Sequence, residues 1–251
     1  FQVGIIACGY KGKKINAQKA LIVQAHSTSQ DVGDEAVLLA DETTCLVAAC
    51  KNRRKSAEAL IKLGCNLLIS DDGIQHLNLQ ADLRILLINA QYKFGNGAYL
   101  PMGPVKVPKL VQQRCNYILH YGEKNHNYGL YLKNYPIRNI HNPCSILSIK
   151  ERSQKKIIAI TAIAHPEAFF NALKKLKITF KPIIFPDHYI FKPEDLNFDS
   201  HTILIMTSKD RVKCLHFNQK NLWFLPTKVE IPSTLQQQLV ATLRKLSPSN
   251  H

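Results

Sequence analysis

Two adjacent carboxylates, followed by an amide and an imidazole, make Ser70-Asp71-Asp72-Gly73-Ile74-Gln75-His76 the stretch best equipped for chemistry. The apolar run Leu67-Leu68-Ile69 leads into it. A run of that length, set between helix-like and loop-like sequence, reads as a buried parallel strand. Acids at the C-terminal tip of such a strand lie where open α/β sheets bind ligands. A Walker-B aspartate meets Mg²⁺ and phosphate in this way. Neighbouring strand residues point to opposite faces, so both acids can serve one ligand only if the chain turns there, and Gly73 permits that turn. The plainer reading is a surface Asp-Asp-Gly turn closing a strand. Gln75 and His76 add two directional polar groups at the same end.

Other candidates are spread along the chain. The loop Cys8-Gly9-Tyr10-Lys11-Gly12-Lys13-Lys14 has the glycines and lysines that suit phosphate. It lacks the G-x-x-x-x-G-K-S/T spacing of a Walker A. Gly33 precedes a helix-like run that opens with Asp34-Glu35. Acids in a first turn complement the helix dipole, so a capping role and a functional role both stand. His188, in Pro186-Asp187-His188, reads by itself as a loop histidine beside an aspartate.

The elements that must position these residues alternate between strand and helix. Strand patterns fall at 3–7, 44–49, 67–70, 83–89 and 116–121, with a helix from Arg53 that turns Ala57, Leu60 and Ile61 to one face. Such alternation predicts a doubly wound parallel sheet. The Gly- and Pro-rich loop 94–104 suggests a fixed shape near a ligand. From about 122 to 150 the pattern weakens to short β-like pieces such as 144–149, read as a connector. A second α/β unit follows: strand 157–162, a helix with Pro166 in its first turn, strands 180–185 and 202–206, the run Thr207-Ser208-Lys209-Asp210, a strand at 222–226 and a last amphipathic helix near 233–246.

Composition sets the bounds. The 251 residues suffice for one large α/β domain or a core with a smaller lobe. With 33 Lys+Arg against 18 Asp+Glu the formal net charge is +15, which points to acidic partners: nucleotides, phosphorylated lipids, an anionic membrane surface or nucleic acid. The seven cysteines form no C-x-x-C pair and sit mostly among apolar residues, as reduced, packed thiols do. No apolar run approaches the roughly 20 residues that span a bilayer. Aromatics do not interleave with the basic residues as nucleic-acid stacking platforms would, so no nucleic-acid partner is expected.

Taken in order, these segments resemble the tetraacyldisaccharide 4′-kinases, the lipid A kinases of Gram-negative bacteria. The resemblance is carried by Gly9-Tyr10, Val32-Gly33-Asp34-Glu35, Arg53, Asp71-Asp72-Gly73-Ile74-Gln75-His76 and Gly95-Asn96-Gly97 with Leu100-Pro101-Met102-Gly103-Pro104. It continues through Pro166-Glu167-Ala168-Phe169-Phe170, Pro186-Asp187-His188 and Thr207-Ser208-Lys209-Asp210-Arg211-Val212-Lys213. It implies an α/β fold: a P-loop-kinase-like parallel-sheet lobe lacking its Walker A, over residues 1–140, and a smaller α/β lobe, over 141–251, joined by a β-ribbon and closed by a returning C-terminal helix. It implies ATP-dependent phosphorylation of the 4′-hydroxyl of an acylated glucosamine disaccharide phosphate, at the cytoplasmic face of the inner membrane. Carried over, Asp34 is the base and His188 supports it across a cleft. Asp71, Asp72 and Glu35 attend Mg²⁺, while Asp72, Gln75, His76, Arg53 and Tyr10 attend ATP. A base and its partner on different lobes would assemble only on closure.

The chain also departs from that pattern. It opens at Phe1 inside a strand, and the family's Walker A lies upstream of that strand, so a fragment or an N-terminally shortened copy is expected. Ala7-Cys8 replaces Ser-Arg, Val105-Lys106-Val107 replaces Leu-Arg-Glu, Ser208 replaces Glu, and Ala81 and Ala162 replace Arg and Gly. A degenerate, inactive paralogue is therefore a competing reading, and a basic nucleic-acid-binding protein a more distant one. Residues 1–251 by themselves are expected to bind Mg²⁺-ATP weakly, since the phosphate cradle supplies much of that affinity. Isothermal calorimetry measures this directly, and tight binding overturns it.

Overall fold

The computed structural model describes residues 1–76, 79–89, 109–122 and 128–246. The loop 94–104 lies outside them. In chain order the elements are β1 (Val3–Ala7), β2 (Leu21–Ile22), α1 (Ser29–Val32), α2 (Asp34–Glu42), β3 (Leu46–Ala49), α3 (Arg53–Lys62) and β4 (Leu67–Ser70). Then come β5 (Ile85–Asn89), β6 (Tyr117–Tyr121), β7 (Gly129–Asn134), β8 (Arg138–Asn139), α4 (Ile149–Gln154), β9 (Lys156–Thr161), α5 (Glu167–Lys175) and β10 (Lys181–Ile184). β11 (Thr202–Thr207), α6 (Ser208–Cys214), β12 (Leu222–Leu225), β13 (Thr227–Glu230) and α7 (Ser233–Leu246) complete the chain.

Contacts divide the molecule into a unit of Phe1–Asp71 with Asn134–Thr227 and a unit of Asp72–Lys133 with Lys228–His251. Residues 1–140, expected as one lobe, are thus distributed over both units. So are residues 141–251, because α7 belongs with the second. The chain passes between units three times, between Asp71 and Asp72, at the end of β7 and at the start of β13, and β7 and β13 are neighbours in one sheet.

The first unit holds two sheets. One runs β2-β3-β1-β4, with β1 parallel to both β3 and β4 and β2 antiparallel to β3. The other runs β10-β9-β11-β12-β8, parallel except for the edge strand β8. Successive residues of the second sheet's central strands bury on alternate faces. Ile157 and Ala159, Ile203 and Ile205, and Trp223 and Leu225 join one core cluster. Ile158 and Ile160, Leu204 and Met206, and Leu222 and Phe224 join the other. Both faces being covered, these strands read as unbroken apolar runs. The second unit is smaller: β13-β7-β6-β5, with Leu235 of α7 buried against Leu119 and Leu130.

Three local expectations change. β4 is the edge of its sheet, so its residues are at best half-buried and Ile69 is exposed. On α3 the buried residues are Arg53, Ser56, Ala57 and Leu60, while Ile61 faces solvent. The i, i+3, i+4, i+7 series that begins at residue 53 closes at Leu60, and Ile61 lies one position past it. The β-like piece 144–149 forms only an isolated bridge, Arg138 to Ile146, and Ile149 opens α4. No helix among the described residues is long and apolar enough to cross a membrane.

The thiols grade by burial. Cys50, Cys65 and Cys214 are buried, Cys8, Cys45 and Cys115 are intermediate, and Cys144 is exposed. Burial, with the Asp210 charge beside it, pushes the Cys214 thiol well above the usual range. Since the thiolate is the nucleophile, alkylation of the folded protein near neutral pH should modify Cys144 first and spare Cys214 until denaturant is added. Mass spectrometry of the labelled peptides checks that order.

Candidate active site

Asp34 begins α2 because Gly33 breaks the chain between α1 and α2. Gly33 has φ 91°, and a Cβ on it would meet the Tyr10 carbonyl oxygen at 2.6 Å. Glycine is required on both counts. The Tyr10 loop is itself tied to α1: Lys13 N–H donates to Gln30 O at 2.8 Å, and Lys14 N–H to Asp31 O at 3.0 Å. The Lys14 ammonium also reaches Asp31 Oδ2 at 3.1 Å, and that bond holds the Asp31 carboxyl below its usual range. These anchors set Tyr10 beside Gly33 and Asp34.

His188 arrives from the turn after β10. Phe185 N–H donates to Thr161 O, and His188 N–H donates to Ala162 O at 3.1 Å. Its φ of 61° is left-handed, a conformation that costs a non-glycine residue on the order of 1 kcal/mol and persists where the surroundings over-determine it. The ring edge meets Tyr10, with centroids 5.4 Å apart. Its Nδ1 lies 3.0 Å from Asp34 Oδ2, and each of the two side chains is only 12% exposed. Its Nε2 is 3.6 Å from Asp187 Oδ2, beyond hydrogen-bond length. Asp34 and His188 belong to one compact unit and already touch. The expectation that they meet only when two lobes close is corrected accordingly.

Behind this pair lies a polar cluster centred on Asp210, a residue to which the sequence alone assigns no role. Asp210 is fully buried. It accepts from Thr161 Oγ1 at 2.7 Å, Thr207 Oγ1 at 2.8 Å, Ala162 N–H at 3.2 Å and Lys213 Nζ at 3.1 Å. Lys213, 3% exposed, also donates to Ala162 O at 3.5 Å and lies 3.5 Å from Asp34 Oδ2. The readable signal was Thr207-x-x-Asp210 after an apolar strand, the pattern of an N-cap. Thr207 Oγ1 does accept from Asp210 N–H at 3.1 Å. Nothing local tells that the Asp side chain turns inward.

Glu35 pairs with Lys209 at 3.5 Å. Arg53 is buried; its Nη1 donates to Ile6 O at 3.4 Å and Ser70 Oγ at 3.1 Å, which ties α3 to the ends of β1 and β4. Asp71 is exposed at the tip of β4, its amide donating to Ile6 O at 3.0 Å. The turn comes at Asp72, which takes φ 52°, and not at Gly73, which opens a 3₁₀ turn to Gln75. Asp72, Gln75 and His76 fall in the second unit. Among the described residues no three His, Cys, Asp or Glu side chains gather to hold a metal ion.

Removing the buried anchor should be costly. Asp210→Ala leaves Lys213 as a poorly compensated buried cation, a class of change that costs about 3–5 kcal/mol. Urea unfolding should report that loss, and a stability unchanged from the parent would show that Asp210 anchors nothing.

Comparison with known proteins gives one consistent answer. The family model described as tetraacyldisaccharide-1-P 4′-kinase matches residues 1–244. The tetraacyldisaccharide 4′-kinase of Methylobacillus flagellatus is 34% identical over 247 residues, which cover 97% of this chain and 73% of that protein. The tetraacyldisaccharide 4′-kinase of Nitrosococcus oceani is also 34% identical over 247 residues, covering 98% of this chain and 72% of its own length. Among solved structures, LpxK from Aquifex aeolicus in complex with ATP superposes with a TM-score of 0.77 at 24% identity, covering 98% of this chain and 79% of that one. At that identity the superposition speaks for the fold.

Proposed function

The chain belongs to the tetraacyldisaccharide-1-P 4′-kinase family, and from that membership we propose how its residues carry phosphoryl transfer. It is a phosphotransferase of lipid A biosynthesis, and membership favours neither a degenerate copy nor a nucleic-acid-binding protein. Its substrates are ATP and the acylated glucosamine disaccharide phosphate. The net charge of +15 suits these anionic substrates and the anionic cytoplasmic face of the bacterial inner membrane, where we place it as a peripheral protein.

The observation that carries the mechanism is the 3.0 Å contact between Asp34 Oδ2 and His188 Nδ1. Among the described residues, the ion-pair contacts to Asp34 from His188 and from Lys213 fall on Oδ2, and Oδ1 is the oxygen we assign to the sugar hydroxyl. The 4′-oxygen attacks the γ-phosphorus, the bond to the β,γ-bridging oxygen breaks, and ADP leaves. The hydroxyl proton passes to Asp34, and His188 holds that carboxylate in place. Such transfers depend on positioning and charge neutralisation more than on covalent chemistry. Mg²⁺ would travel on the ATP phosphates, neutralising their charge, with Asp71 as a protein oxygen donor. A metal held this way keeps several waters and needs only one or two carboxylates. Asp72, Gln75, His76, Arg53 and Tyr10 remain the proposed nucleotide contacts and Glu35 an accessory carboxylate.

The test is transfer of phosphate from labelled ATP to the disaccharide lipid by the full-length gene product. Asp34→Ala should lower turnover about 10²-fold or more, and His188→Ala by a smaller factor, in the range of general-base contributions. Wild-type turnover in Asp34→Ala would remove Asp34 from this role.

A further inference from the structure

We propose that Lys213 is a positioning residue for phosphoryl transfer, holding the Asp34 carboxylate against His188 from a buried anchor at Asp210. The inference rests on reading Asp34 as the base.

Lys213 is where a lysine is least expected. Its side chain is 2% exposed, and buried ammonium groups persist only when paired and hydrogen-bonded. An ammonium has three donors, and three oxygens face this one: Asp210 Oδ1 at 3.1 Å, Ala162 O at 3.5 Å and Asp34 Oδ2 at 3.5 Å. The Phe191 ring lies beside it, its centroid 5.6 Å from Nζ.

These acceptors come from three separate places. Asp210 is one turn earlier on α6, Ala162 follows β9, and Asp34 opens α2. Asp210 is immobilised by two hydroxyls and an amide besides Lys213. Ala162 O receives both the Lys213 ammonium and the His188 N–H. The same ammonium therefore meets the carboxylate through its side chain and the histidine through a shared carbonyl. If Lys213 served Asp210 alone, Asp210 could as well have been neutral, as asparagine. A charge at this depth that reaches a second, partly exposed carboxylate has its use at the second one. Misplacing a reacting group by about 1 Å can cost on the order of 10² in rate.

The experiment uses the full-length gene product with Lys213→Met, Lys213→Gln and Lys213→Arg, alone and with Asp34→Asn. Two readouts are taken: steady-state 4′-kinase kinetics, and NMR of the His188 ring nitrogens, assigned by His188→Gln. In the neutral variants kcat should fall about ten- to a hundredfold while the KM for ATP stays within about twofold. The loss should not add to that of Asp34→Asn, and Lys213→Arg should recover part of it. The His188 ring signal should shift in Lys213→Met as it does in Asp34→Asn, with no further shift in the double variant. If the wild-type protein transfers no phosphate but the signals shift this way, the kinase reading fails and the positioning by Lys213 stands. An unmoved His188 signal in a folded neutral variant overturns the proposal. So does failure of both neutral variants to fold, which would make Lys213 a residue of the fold alone.

Discussion

A carboxylate with no exposed surface must be answered by donors on every side, and in this molecule that constraint falls on Asp210. Its partners come from the end of β9, the end of β11 and the helix that β11 leads into. Two parallel strands and a helix start are thereby fixed to one point at the C-terminal edge of a sheet. Ligands bind open α/β sheets at that edge. The Lys213 side chain then extends the fixed point to α2, and the turn carrying His188 hangs from the same Ala162 carbonyl. Much of the candidate site's geometry follows from satisfying one buried charge.

The packing of α6 on α2 serves the same end. Val212 enters the core of the first sheet beside Val37. Arg211 bonds Asp41 while its guanidinium lies 4.5 Å from the centre of the Phe224 ring, Lys209 meets Glu35, and Lys213 meets Asp34. A seven-residue helix thus presents four residues to one neighbour, and three of those contacts are ionic. Two of them, Arg211 to Asp41 and Lys213 to Asp34, are mostly screened from water and fix register better than exposed pairs do, while Lys209 to Glu35 is more open.

The sequence disclosed strand and helix positions well wherever both faces of an element were buried. The runs of β9 and β11 have no polar interruption because two cores sandwich them. It misjudged β4, where a short apolar run looks the same whether it lies at the centre of a sheet or at its edge. It misjudged Ile61, because an apolar residue one step past the buried stripe still looks helical. Asp34 and His188 were legible only together, through a family resemblance. Each by itself is an ordinary helix-start acid or loop histidine. Asp210 and Lys213 were not legible as a site, since an N-cap pattern gives the backbone role and says nothing about burial. What made them important is tertiary: the strands that enclose them are distant in the chain.

His188 and Asp34 are 154 residues apart in the chain. During synthesis the first sheet can pair β1 with β3 and β4 long before the turn carrying His188 leaves the ribosome. Through that interval the Asp34 carboxylate stays hydrated, and α2 lacks the helix that will cover it. Contacts of such separation form late, after the loop-closure entropy has been met. A nascent chain stalled before residue 207 would therefore hold a folded sheet and an unassembled centre. On the proposed reading, the centre is withheld until α6 is made.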